Sequence, residues 1–135
     1  MKQTLLAILC FFLCNWGIAQ RYVRQCEKLI EKDYFPQEKE YKIQIGQDEQ
    51  ASFHMTFYND YQYRIAVCSN ISDGNLVFTI YDPENKMLFS NKDYNFSQYW
   101  DFRFKSTIEC VIKVEIQNYE YTKAMISLLV GYKGI

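Results

Sequence analysis

The sequence holds one histidine, His54, and no run of lysine or arginine. It has no Gly-x-Ser-x-Gly elbow, no His-Glu-x-x-His pair and, after its first 19 residues, no close Cys or His pairs. Each absence removes a class of function. A hydrolase triad needs a base beside a nucleophile and an orienting acid, and neither Cys68 nor Cys110 has a nucleophile's context. Zinc takes closely spaced Cys or His ligands. Neutralising phosphates takes a basic excess, and here 15 basic residues face 16 acidic ones. Nucleic acid and anionic membrane surfaces are therefore poor partners. No βαβ pattern, internal repeat or low-complexity tract occurs either, which argues against a parallel sheet. No catalytic residue, metal ligand or cofactor is assigned.

What is present begins with "MKQTLLAILCFFLCNWGIAQ": Lys2, an apolar run from Leu5 to Leu13, then Gly17 and Ala19 before Gln20. That is the layout of a secretory signal over residues 1–19, with an uncut N-terminal anchor as the competing reading. The run is shorter than the roughly 20 residues of a membrane span. Leu9 and Leu13 precede the two early cysteines, where a lipoprotein signal needs a small residue. Cleavage removes Lys2 and leaves 14 basic and 16 acidic residues, a net charge of −2. The expected location is secreted or periplasmic, in a bacterial envelope, with no transmembrane segment in the mature chain.

Residues 20–36 form a helix and linker. In "RYVRQCEKLIEKDYF", Tyr22, Cys26, Leu29 and Ile30 fall on one helical face, and Pro36 ends the element. A frayed leader is the alternative. From residue 37 to 135 the apolar period is 2. "ASFHMTFY" and "YQYRIAVC" alternate on either side of Asn59-Asp60, which reads as a tight hairpin. "LVFTIY", "MLFS", "YWDFRF", "IECVIKVEI" and "KAMISLLVGYK" continue the pattern. About eight strands, each with one apolar face, predict an all-β, antiparallel β-sandwich of jelly-roll type.

Three cysteines remain after the signal. Parity turns Cys110 inward and Cys68 outward, so Cys26–Cys68 is the expected disulfide. Asp73, Asn75, Asp82, Glu84 and Asn85 could offer oxygens to calcium, but such residues are the default in turns. Two sequons, at Asn70 and Asn95, would be silent in a bacterium.

The half from Leu76 to Lys133 reads as apolar strand, Asp-Pro turn, short strand, aromatic strand and two apolar strands. This resembles the bacterial pre-peptidase C-terminal (PPC) domain and the Golgi-dynamics (GOLD) domain, with Glu109-Cys110 in place of the usual Gly-Tyr. The resemblance implies a small β-sandwich with an accessory, non-catalytic role, and carries over no binding residues.

All 12 tyrosines lie outside the signal. Tyr94, Phe96, Tyr99, Tyr119 and Tyr121 fall in loops or on outward phases, as large rigid contact surfaces would. They are the candidate ligand-binding residues of a binding module for a glycan or an envelope protein; a structural component of the envelope is the alternative. In "NFSQYWDFRF", Trp100, Phe102 and Phe104 share the inward phase. Trp100→Ala should then cost about 3–5 kcal/mol and Tyr99→Ala about 1 or less. Urea unfolding checks the order, and a reversal would mean a register shifted by one residue.

Overall fold

A computed structural model describes residues 24–30, 33–37, 41–71 and 75–135. The expected signal segment, Tyr22 and Asp73 lie outside the described residues. The described chain is mostly strand, with one short helical segment, α1, over residues 24–30. No helix among the described residues is long and apolar enough to cross a membrane.

Among the described residues, nine strands follow α1. They are β1 (Phe35–Pro36), β2 (Tyr41–Gly46), β3 (Ala51–Phe57), β4 (Tyr61–Ser69), β5 (Asn75–Tyr81), β6 (Met87–Ser90), β7 (Tyr99–Arg103), β8 (Ile108–Gln117) and β9 (Lys123–Gly134). One sheet runs β1-β9-β4-β7, with β2 also on β9; the other runs β3-β8-β5-β6. The antiparallel pairs β2–β9, β3–β8, β4–β7 and β5–β6 are nested. The chain is thus a long ribbon with its tip at the β5–β6 turn, rolled into two facing sheets. That is the topology of a jelly roll.

The tip is built by local chemistry. Asp82 Oδ1 accepts from the Glu84 and Lys86 amides at 2.9 and 2.8 Å. Asn85 takes the left-handed conformation, φ 63°, which Asn tolerates better than most residues.

Alternation fills the core. Ala51, Phe53, Met55 and Phe57 of β3 and Cys110, Ile112, Val114 and Ile116 of β8 face Tyr63, Ile65 and Val67 of β4 and the apolar phase of β9. Two inward positions are poorly covered: Ile43 is 40% exposed and Tyr61 38%, since one lies on a marginal strand and the other opens β4.

The expected hairpin across Asn59-Asp60 does not form. β3 pairs with β8, while β4 pairs with β7 and β9 in the other sheet. The turn carries the chain from sheet to sheet, and the Tyr63 hydroxyl accepts from the Tyr58 amide across it at 3.0 Å. The same turn residues serve both geometries, and long-range packing chooses between them.

A second, smaller core lies on the outer face of the five-stranded sheet. Cys26, Ile30 and Tyr34 cover Ala66 and Cys68 there. This explains why Ala66, on the outward phase, is fully buried. Cys26 and Cys68 are joined by a disulfide, and Cys110 is a free, buried thiol. Helix and sheet approach so closely that a Cβ at Gly131 would meet Ile30 Cγ2 at 2.7 Å and Tyr34 Cβ at 2.8 Å. Pro36, expected to end the helix, lies in a strand. Phe35–Pro36 pairs with Tyr132 and Gly131 as a two-residue strand.

The disulfide closes a loop with a sequence separation of 42. Chain entropy for a loop of that length predicts a loss of about 4 kcal/mol on reduction. The Cys26→Ser/Cys68→Ser variant should show it as a lowered urea midpoint; an unchanged midpoint would contradict it.

Candidate binding surface

The side of the sandwich where β6 and β7 form the two sheet margins is built around Asn91. A 3-10 turn, Asn91–Tyr94, links the two strands. Asn91 is 1% exposed. Its Oδ1 accepts from the Phe78 amide at 2.9 Å, and its Nδ2 donates to Leu76 O at 2.9 Å and Ser97 O at 3.1 Å. The side chain thus continues the ladder along β5 where β6 ends, and pins the loop to the sheet. Its neighbours in sequence, Lys92 and Asp93, are charged, and no local signal marks it as buried. Further bonds hold the loop: Phe96 N to Asn91 O at 3.0 Å, Ser97 N to Tyr94 O at 3.2 Å and Val67 N to Gln98 O at 2.9 Å. Asn95 and Phe96 both have φ near 54°. For a bulky residue this is strained backbone, of the kind that the surroundings must enforce.

The rigid loop presents rings. Tyr94 lies 4.3 Å from Trp100 and 5.5 Å from Phe89, centroid to centroid. Phe89 in turn contacts Trp100 and Phe102 at 5.4 and 5.0 Å. Trp100, Phe102 and Phe104 hold the inward phase, but they are half-buried at the sandwich margin. The expected cost of Trp100→Ala therefore falls to the lower end of the buried-ring range. Tyr94 is 47% exposed, and Met87 and Leu88 of β6, the strand before its loop, are exposed as well. Phe96 is half-buried in the same loop.

The sequence candidates divide into separate places. Tyr94 and Phe96 belong to the β6–β7 loop. Tyr99 opens β7 on the outer face of its sheet, against the Arg64 guanidinium at 4.7 Å. Tyr119 and Tyr121 lie in the β8–β9 turn, which is tied to the β2–β3 turn. Gln47 Nε2 donates to Tyr119 O, and the Tyr121 amide donates to Gln47 Oε1. The Tyr121 hydroxyl donates to Gly46 O at 3.0 Å and its ring is half-buried. Burial and the nearby Asp48, Glu49 and Glu115 charges raise its pKa. No ring contact among the described residues joins Tyr119 or Tyr121 to Tyr94, Phe96 or Tyr99.

His54 is exposed on the outer face of β3. Cys110 is buried, and burial together with Asp82 pushes its thiol up to about 11. Such a thiol is a poor nucleophile.

Arg64, which carried no sequence signal, organises the outer face. It donates to both Asp101 oxygens, at 2.7 and 3.0 Å, and to Leu29 O at 3.1 Å. The Tyr34 ring lies 4.5 Å below it. One guanidinium thus joins β4, β7 and the end of α1. Burial opposes the Asp101 charge, but the Arg64 bonds and charge outweigh it and lower the carboxyl pKa. A depressed carboxylate stabilises the fold above its unfolded value of about 3.9, and that stability is lost as pH falls through the folded value. Arg64→Met should cost about 1–2 kcal/mol at neutral pH, the partial exposure of Asp101 keeping it low. Urea unfolding at pH 7 and below pH 3 should show a smaller acid loss in the variant than in the parent; equal losses would exclude this role.

No family model matches the chain, and no curated protein matches its sequence. The fold has a solved counterpart in the crystal structure of Aeromonas hydrophila PliG, a periplasmic lysozyme inhibitor of g-type lysozyme. The two share a TM-score of 0.51 and 11% identity over 77% of this chain and 91% of that one. At this identity the likeness is one of fold.

Proposed function

We propose that the chain is an exported, non-catalytic binding module whose partner is a protein, held on the β6–β7 side. The observation that carries this reading is exposed Tyr94, packed on Phe89 and Trp100 in a loop fixed by buried Asn91, directly after a strand that exposes Met87 and Leu88. Tyrosine, tryptophan and methionine are enriched at protein interfaces, and a preordered loop lowers the cost of binding. A glycan is less well served. Tyr94 is stacked on Phe89 and tilted against Trp100, so ring faces that would stack on a sugar are already used.

The signal-like N-terminus and the disulfide fit an oxidising compartment. The resemblance to PPC and GOLD domains points to the same accessory role. The fold shared with a periplasmic inhibitor makes g-type lysozyme the first protein to try.

Lysozyme activity titrated with the purified protein should fall at stoichiometric ratios, and Leu88→Ala/Tyr94→Ala should weaken the effect by at least about tenfold, as loss of interface anchors does. A photo-crosslinker at position 94 should join the same partner in the envelope. Binding to glycans alone, or inhibition unchanged by the double variant, would reject this reading in favour of a glycan-binding or structural role.

A further inference from the structure

Strand edges pair with other chains unless they are blunted. Most of the sheet margins here are. β1 is two residues long and contains Pro36, and β2 carries Lys42. β6 has four residues and an irregular register at Ile80/Tyr81. β7 has Asp101 and Arg103 within its five residues. β3 has no such device. Its seven residues, ASFHMTF, include no charge and no proline, and they pair with β8 without interruption. Among the described residues, no strand and no turn hydrogen bond takes up its other side.

We infer that a second copy of this chain pairs on that side, antiparallel, about a two-fold axis at His54. An isologous contact requires a strand that complements its own reverse. Reversed about His54, β3 sets Ser52 opposite Thr56 of the second copy, a hydroxyl pair that sheets favour. On the inner face it sets Ala51 opposite Phe57 and Phe53 opposite Met55, small against large and ring against thioether. Phe53 and Met55 are the core members of β3 with residual exposure, 7% and 9%, which a neighbouring strand removes. The flanking charges agree. Ser52 is paired with Lys113 and Thr56 with Glu109, so each hydroxyl pair of the dimer is flanked by Lys113 of one copy and Glu109 of the other. The interface lies at the opposite margin of the sheet from β6. The dimer therefore leaves both ring surfaces open, and two such surfaces on one particle bind a multivalent target more tightly than either alone.

Sedimentation over a concentration series tests this with the purified, disulfide-bonded protein and two variants, each first shown to fold by circular dichroism. Ser52→Glu/Thr56→Glu places two like-charge pairs across the axis. Ser52→Glu/Thr56→Lys places two opposite-charge pairs in the same positions. The parent should be a dimer, the first variant should dissociate at least about tenfold more readily than the second, and the second should remain dimeric. His54→Cys should form a covalent dimer on oxidation, because residues opposite each other in an antiparallel pair lie within disulfide reach. A monomeric parent, equal weakening by both variants, or a His54→Cys protein that couples only to another protein would overturn the inference. These outcomes are independent of whether a lysozyme binds at Tyr94.

Discussion

Each sheet of this sandwich is apolar on one face, and the two apolar faces can leave water only against each other. Ile112 and Val114 on one side, Ile65 and Leu128 on the other, are almost completely shielded. Burial of such side chains is worth about 1.5–3 kcal/mol each, which makes it the main force closing the ribbon on itself. Everything described above depends on that closure. It sets β6 and β7 side by side as margins, and so creates the ring cluster of Phe89, Tyr94 and Trp100. It also leaves β3 at the opposite margin.

The outer face of the five-stranded sheet shows the complementary problem. A face that would otherwise meet water is covered by α1, at the cost of three devices. Gly131 provides room for Ile30 and Tyr34. The Cys26–Cys68 bond fixes the helix covalently. Arg64 satisfies a helix-end carbonyl, a carboxylate and two rings at once. A cation near a helix C-terminus is favourable in itself. Its bidentate pairing with Asp101 adds the geometric specificity that lysine could not supply.

The binding reading stands on rigidity as much as on exposure. Exposed aromatic residues occur singly on many surfaces without consequence. Tyr94 differs because its loop is held by a buried asparagine and by strained backbone at Phe96. Tyr121, by contrast, uses its hydroxyl and much of its ring to join two turns. The same residue type is thus an exposed ring in one place and a tie in another.

Much of this was legible from residue order. Period-2 alternation decided the strands, their inward phases in β3, β8 and β9, and the class of fold, because a strand's two faces are fixed by parity alone. The Asp82–Lys86 turn could be read too, since its bonds are local. Pairing could not. Asn59-Asp60 has the chemistry of a hairpin, yet it joins strands of different sheets, because strand partners are chosen by burial summed over the whole ribbon. Nor could the sequence disclose that Asn91 is buried, that Arg64 is an organising residue, or that Tyr94 and Tyr119 belong to different places. Each depends on neighbours far along the chain. Local periodicity determined which side of each strand is apolar; only the rolled tertiary structure decided what that side meets, because contacts between distant segments exist only once the two sheets have closed.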